Sequence, residues 1–429
     1  MSPPVKITSS RPDWILDNRY PQKDEKQSEL FSYVSKLLED VRKGGDIAVR
    51  ELTEKFDKVT LQSFQVTKNE VYEAYSQVTQ DQVDALKTSI DRISNLEKRR
   101  LEGLEFNTYS DGVVIQSRTR PIYSCGCYVP GGRASYPSTL LMNVIPARVA
   151  GVKRIVVTTP PDNNGKVNPL TLVASDLCNV DEVYKIGGVQ AIASLAYGTE
   201  SVQPVNKIVG PGNQYVAEAK KIVSREVAID SPAGPSEVLI VADESADPYL
   251  IALDMISQAE HGPGGISGLV TTSQSVAEEV KSILESLLQS IPRVDMVSVV
   301  LEENGFIYIC NSIEEAIDFA NEFGAEHLEI MTDNPEKIAG EMQSAGLILL
   351  GPYTPVASTD YCMGVNHVLP TEGYGKINSG LTVLDFLKIV NIVECSKEGL
   401  NKVQDQIRIL ANAEGLPNHG LAVEGRFKK

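Results

Sequence analysis

All four histidines of this chain fall after residue 260, each among polar neighbours: Gln258-Ala-Glu-His261, Glu326-His327, Asp360 to His367, and Glu414 to His419. Histidine titrates near neutral pH and is the commonest metal ligand, so this clustering points to metal and acid/base chemistry. Gln258 and His261 stand three apart at the end of a predicted helix and share one of its faces. With Asp360 and His419 they would make an N/O metal site. Zinc accepts His and Asp, whereas Gln lies outside its usual set, so manganese stays open. The spacing equally fits a Gln-x-x-His pair that binds nothing. Glu326 and His327 would point to opposite faces of a regular strand. Both reach one site only at a strand's mouth, where they would form a pair of proton acceptors. A surface Glu beside a packed His is the alternative.

Three glycine-rich loops could meet an anion: Pro130-Gly-Gly-Arg133, Gly187-Gly-Val-Gln190 and Gly210-Pro-Gly-Asn-Gln214. Glycine lets backbone N–H groups approach a phosphate, and a helix N-terminus adds favourable partial charge. None of the three is a GxGxxG fingerprint. Tight strand-to-helix turns explain them as well as a nucleotide site does.

The elements that must position these residues are of two textures. Up to about residue 102 the pattern is helical, over 26–43, 46–57 and 79–102, with Leu30, Val34, Leu37, Leu38 and Val41 on one face. Residues 111–118 alternate as a strand. From 122 to 243, short β-branched runs at 154–158, 182–186, 206–209 and 238–241 alternate with helices at 138–150, 168–178, 188–197 and 213–224. Helix 247–260 opens a second such stretch, with strands 267–272, 305–309, 327–331 and 346–350. Its further helices are 274–290, 312–322 and 335–343. This alternation predicts βαβ units and parallel sheets. A polar loop spans 354–380, and a helical tail runs over 397–413 to Pro417-Asn418-His419.

The expected fold class is therefore α/β: two Rossmann-like domains with mainly parallel sheets, an N-terminal helical segment and a C-terminal helical tail. The expected division is an arm at 1–25, a discontinuous α/β domain at 26–121 plus 240–380, a Rossmann-like domain at 122–239, and a tail at 381–429. The discontinuous domain would carry the metal and acid/base residues.

Composition fits an ordinary globular chain, with 42% hydrophobic and 23% charged residues among 429. The net charge of −17 argues against binding a phosphate backbone, so no nucleic-acid partner is expected. No window has the length and apolarity of a membrane span, and the N-terminus lacks a signal peptide's apolar core, making the cytoplasm the expected compartment. The six cysteines form no CxxC pair. Most of them read as buried thiols behaving as small apolar residues.

Taken together, the motifs resemble histidinol dehydrogenase from about Val34 to Arg426. The specific stretches are Tyr128-Val-Pro-Gly-Gly-Arg133, Ile208 to Lys220, Ala233-Gly-Pro-Ser-Glu-Val238 and Ser257-Gln-Ala-Glu-His-Gly-Pro263. To these add Glu326-His-Leu-Glu329, Asp360-Tyr361 with Asn366-His-Val-Leu-Pro-Thr371, and Glu414-Gly-Leu416 followed by His419. The resemblance implies a homodimeric enzyme with one Zn2+ per subunit, which oxidises L-histidinol to L-histidine with NAD in two hydride transfers through a bound aldehyde. It maps the zinc ligands onto Gln258, His261, Asp360 and His419, and the acid/base pair onto Glu326 and His327. Substrate contacts map onto Ser236, His367 and Glu414, together with His327 and the metal ligands. Contacts to NAD map onto Tyr128, Gln190 and Asn213. The tail would cross to the partner, so that Glu414 and His419 complete the neighbour's site.

Three segments depart from the family's usual pattern: Gly262-Pro-Gly-Gly-Ile-Ser267, Thr359 before Asp360, and Gly324-Ala325 before Glu326. A histidinol-dehydrogenase-like enzyme acting on another small alcohol, such as a sulfonated diol, is the closest rival. Glu414 opposes it, because a carboxylate suits a cationic substrate and repels a sulfonate. Covalent aldehyde oxidation through Cys125 or Cys127 is a rival mechanism.

Overall fold

Two parallel sheets dominate the computed structural model, which describes residues 5–17, 25–131, 135–231 and 234–428. The α/β expectation holds. The first sheet has five strands in the order Glu182–Lys185, Arg154–Thr159, Ser124–Tyr128, Lys207–Val209, Ala228–Ile229. The second has six, in the order Lys6–Thr8, Gly305–Ile309, Ile266–Thr271, Glu237–Ala242, Ala325–Met331, Ala345–Leu350. Every pairing in both is parallel. Parallel strands are covered on both faces, which is why their sequences read as apolar runs such as Val238-Leu-Ile-Val-Ala242. A third sheet is antiparallel: Leu387–Cys395 pairs with Val113–Pro121, which pairs with Phe106–Ser110.

The chain enters the first sheet's central strand, Ser124–Tyr128, and leaves it on one face through helix Pro137–Ala150. Helices Gly188–Tyr197 and Gln214–Val223 cover the opposite face, packed with helix Glu25–Asp57. Helices Lys68–Tyr75 and Gln80–Leu101 pack on the first face with Pro137–Ala150 and Pro169–Leu177. The helices of the segment 26–121 therefore clothe the first sheet rather than the second, with which the sequence grouped them. Their apolar faces carry no marker of which sheet will receive them. The expected helices 26–43 and 46–57 are one element broken at Gly45. Strand Lys6–Thr8 joins the second sheet at its edge, beside Gly305–Ile309.

The loop after strand Lys207–Val209 shows how the first sheet's C-terminal edge is fixed. Gly210 has φ +113, and a Cβ there would lie 2.1 Å from the Tyr128 carbonyl oxygen. Only glycine fits so close an approach. Asp230 accepts from the Gly210 N–H at 2.7 Å, Lys220 donates to the Gly210 carbonyl at 2.8 Å, and the two side chains pair with each other. Both are buried. Replacing Asp230 by Ala would leave the Lys220 ammonium buried and uncompensated, so it should cost about 3–5 kcal/mol. Urea unfolding measures this; a loss below about 1 kcal/mol, the scale of an exposed pair, would show that the pair does not fix the loop.

Candidate active site

The first sheet presents the C-terminal ends of its strands, and the second presents the N-terminal ends, to one cavity of about 410 Å³. From the first sheet come Pro130, Gly212 and Asn213. From the second come Ser236, Glu326 and His327, at the start of strands Glu237–Ala242 and Ala325–Met331. His261, Asp360 and His367 close it. Helix Pro248–Ala259 runs back toward this edge after its strand, which brings Gln258 and His261 there. Helix Val356–Tyr361 delivers Asp360.

His327 is buried, and its Nδ1 lies 3.1 Å from the Glu237 carbonyl and 3.4 Å from Glu326 Oε2. A carbonyl only accepts, so Nδ1 donates, leaving Nε2 as the working atom. Nε2 is buried without a hydrogen-bond partner among the described residues. Burial pulls the ring's pKa down, but the Glu326 carboxylate, Asp360 and the Glu237 carbonyl outweigh it and lift it to about 9. Glu326 is itself fixed, its Oε2 accepting from the Glu237 N–H at 2.7 Å. Both members of the dipeptide line the cavity because they stand at the strand's mouth.

Asp360 stands between two imidazoles. Its Oδ2 is 3.9 Å from His261 Nε2, and its Oδ1 is 3.6 Å from His367 Nδ1. His367 Nδ1 donates to the Asp360 carbonyl at 3.0 Å, and its Nε2 lies 3.3 Å from the Thr139 hydroxyl. Burial lowers the His367 pKa against the pull of Asp360, which keeps this ring neutral. Gln258 is 2% exposed, and its side-chain nitrogen has no hydrogen-bond partner among the described residues. A buried carboxamide left unmatched costs free energy unless a ligand answers it. Among the described residues no three His, Cys, Asp or Glu side chains gather as a metal site. His261 and Asp360 stand together in one chain, and Gln258 is buried at the end of the helix that leads to His261.

The other expected residues are less uniformly placed. Glu414 and His419 are exposed on the tail and do not line the cavity. Of Tyr128, Gln190 and Asn213, only Asn213 lines it. Asn213 caps helix Gln214–Val223. Tyr128 is buried, its hydroxyl accepting from the Gly188 N–H at 3.2 Å, and burial pushes its pKa to about 12. Gln190 is 1% exposed and reaches Asp57 at 3.5 Å. Gly132 and Arg133 of the first glycine loop lie outside the described residues.

Sequence reasoning passed over Glu237, although it quoted the motif that contains it. Glu237 supplies the backbone N–H for Glu326 and the carbonyl for His327, while its own carboxylate accepts from the Glu372 N–H at 2.9 Å. Thr139 was also missed. Two of the three segments that depart from the family pattern have local explanations. Gly324 caps helix Ile313–Phe323 in the left-handed region, φ +60, where an L side chain is disfavoured. Thr359 is buried and bonds back to the Val356 carbonyl at 2.7 Å. Cys125 and Cys127 are fully buried, and desolvation pushes the Cys127 thiol well up. A thiol so placed is inert, which removes the covalent rival.

The histidinol dehydrogenase family model matches residues 20–427. The chain belongs to the histidinol dehydrogenase family. It is accordingly an oxidoreductase of the alcohol and aldehyde class. It is 47% identical over 395 residues to histidinol dehydrogenase of Methanosarcina mazei, covering 92% of this chain and 91% of that one. It is 42% identical over 396 residues to that of Bacillus subtilis, covering 92% and 93%. The crystal structure of histidinol dehydrogenase from Elizabethkingia anophelis superposes with a TM-score of 0.94 at 35% identity, over 100% of this chain and 99% of that one.

The raised His327 pKa carries a sign. Its folded value near 9 exceeds the ordinary 6.5, so its contribution to stability is complete below 6.5 and lost as pH rises through 9. Imidazole NMR of the metal-free protein should show this ring titrating near 9, and Glu326→Gln should lower the value. An unchanged titration in Glu326→Gln would mean that the neighbouring carboxylate does not tune the ring.

Proposed function

We propose that the chain is a zinc-dependent homodimer that oxidises L-histidinol to L-histidine with NAD, through histidinaldehyde, as the last step of histidine biosynthesis. The observation that carries this reading is the convergence of His261, Asp360, His367, Glu326 and His327 on one cavity, in a chain of this family. A cation would take a ring nitrogen of His261, a carboxylate oxygen of Asp360 and the side-chain oxygen of Gln258, a mixed N/O set in which His and Asp suit zinc. Gln258, His261 and Asp360 would hold the ion with His419 from a second copy of the chain. Zinc would orient the imidazole and amine nitrogens of histidinol, and two NAD molecules in turn would each accept one hydride.

The chain's own residues do the proton work. Above its raised pKa of about 9, where the ring has lost its second proton, His327 Nε2 takes the hydroxyl proton as the alcohol becomes the aldehyde. Glu326 takes a proton from water as that water's oxygen adds to the aldehyde carbon. His327 returns its proton to the carbonyl oxygen as the hydrate forms, and the ring, neutral again, deprotonates the hydrate during the second oxidation, which leaves the carboxylate of histidine. Ser236 and His367 line the substrate's space, while Tyr128, Gln190 and Asn213 belong to the dinucleotide side. Glu326→Gln should therefore slow histidinaldehyde oxidation more than histidinol oxidation. Equal slowing of both, followed with each substrate separately, would remove the water-activating role.

Dimerisation and tail exchange are supported by the surface of the third sheet and tail. Ile389, Val390, Ile392 and Val393 on strand Leu387–Cys395 are exposed, as are Ile409, Leu410 and Leu421 on the tail helices. An apolar face of this kind marks a contact with another chain. It is continuous with the segment bearing Glu414 and His419. His261→Ala and His419→Ala should each be inactive alone. Mixed under conditions that exchange subunits, they should recover about a quarter of wild-type sites, because half of the dimers are mixed and one site in each is intact. No recovery despite demonstrated exchange would place both ligands in one subunit's site.

The reading as a whole is tested by metal analysis of purified protein together with a histidinol-dependent NADH assay, before and after chelation. A sulfonated diol serves as the competing substrate. Zinc content with histidinol turnover that chelation abolishes is the expected result; turnover of the diol alone would overturn the substrate assignment.

A further inference from the structure

One buried acidic pair lies outside the mechanism above. Glu329 is 1% exposed, in a core of Val238, Ile240, Met255, Leu349 and Val356. Its Oε1 accepts from the Val356 N–H at 2.8 Å, while its Oε2 is buried with no donor to pair it among the described residues and interacts with the carboxyl of Asp254, half-buried on helix Pro248–Ala259. Two carboxyl groups bond to each other only by holding a proton between them. A carboxyl in an apolar core costs stability, so its presence calls for a reason.

Spacing supplies that reason. Asp254 and Gln258 are four apart on one helix and share a face. Glu329 and His327 are two apart on one strand and share a face. Val356, whose N–H binds Glu329, is four residues before Asp360 on a third element. Each of the three elements thus gives one member to the site and, one step deeper, one member to the carboxyl layer. We infer that the Asp254–Glu329 pair is the positioning device of the site: a hydrogen-bonded layer that fixes the three elements carrying Gln258, His327 and Asp360 against one another. The pair touches no reacting atom. It acts through the orientation of the three side chains above it, as outer partners do at metal sites.

The test separates positioning from folding. Glu329→Met keeps the volume and suits the apolar surroundings, so its thermal stability should equal or exceed the wild type's. Glu329→Gln keeps both hydrogen bonds, accepting from Val356 N–H and donating to Asp254. In the zinc-loaded full-length enzyme, Glu329→Met should lower kcat/KM for histidinol by about 10- to 100-fold, mainly in kcat, while Glu329→Gln stays within about 3-fold of wild type. This readout rests on the proposed histidinol oxidation. A second does not: the His327 imidazole NMR signal, assigned by its loss in His327→Asn, should move in Glu329→Met and stay in place in Glu329→Gln. If the wild type fails to oxidise histidinol, the NMR arm still decides the positioning role. Wild-type activity and an unmoved signal in Glu329→Met would overturn the inference. So would a Glu329→Gln variant as impaired as Glu329→Met, since that would make the charge, and not the bonding, essential. Should Glu329→Met fail to fold, Asp254→Leu at the more accessible partner carries the same expectations.

Discussion

A single backbone carbonyl sets the polarity of this site. The Glu237 oxygen accepts from His327 Nδ1 and so commits the ring to presenting Nε2 to the cavity. The same residue's N–H fixes Glu326. Because strand Glu237–Ala242 lies beside Ala325–Met331 in parallel register, these contacts are a consequence of strand pairing and cost no extra ordering of loops. The same dipeptide on a loop would depend on local flexibility. Here its orientation is as firm as the sheet.

The two sheets meet the cavity with opposite edges, and the chemistry divides accordingly. In open α/β sheets, ligands bind outside the carboxyl ends of the strands. The first sheet follows that rule, with Asn213 and the Gly210 loop at its C-terminal edge, held by the buried Lys220–Asp230 pair. The second sheet inverts it, placing Glu326, His327 and Ser236 at strand N-termini. Its helices then bring their C-terminal ends to the same edge, which is how Gln258 and His261 arrive. A glycine-loop side and a side bearing Glu326 and His327 thus face each other across one cavity.

Much of this was legible in the sequence. Most of the helix and strand alternation from 122 to 350 reads correctly where an element is long enough to show its period, but strands Ser124–Tyr128 and Ala228–Ile229 and helix Val294–Asn304 went unread. The placing of Glu326-His327 at a strand's mouth follows from the pleat, and the structure puts them there. Strand Leu387–Cys395 was not legible: its exposed apolar residues alternate with no polar set, and its partner, Val113–Pro121, is far away in sequence. Helix Val356–Tyr361, inside what reads as a polar loop, is too short for a periodic signal. Asp254 and Glu329 were invisible for a different reason, since an acidic residue within an apolar run gives no sign of whether it is paired. The tail residues Glu414 and His419 stay exposed in a single chain, so their part cannot be seen from one copy's packing.

On the proposed reading, one site with one proton-accepting imidazole carries an alcohol through to a carboxylate without releasing the aldehyde. Counting NADH formed against histidinol consumed, on the zinc-loaded enzyme with limiting substrate and an aldehyde trap in solution, tests it most directly. The account predicts two NADH per histidinol and no trapped aldehyde. One NADH per histidinol, with histidinaldehyde recovered in the trap, would contradict it.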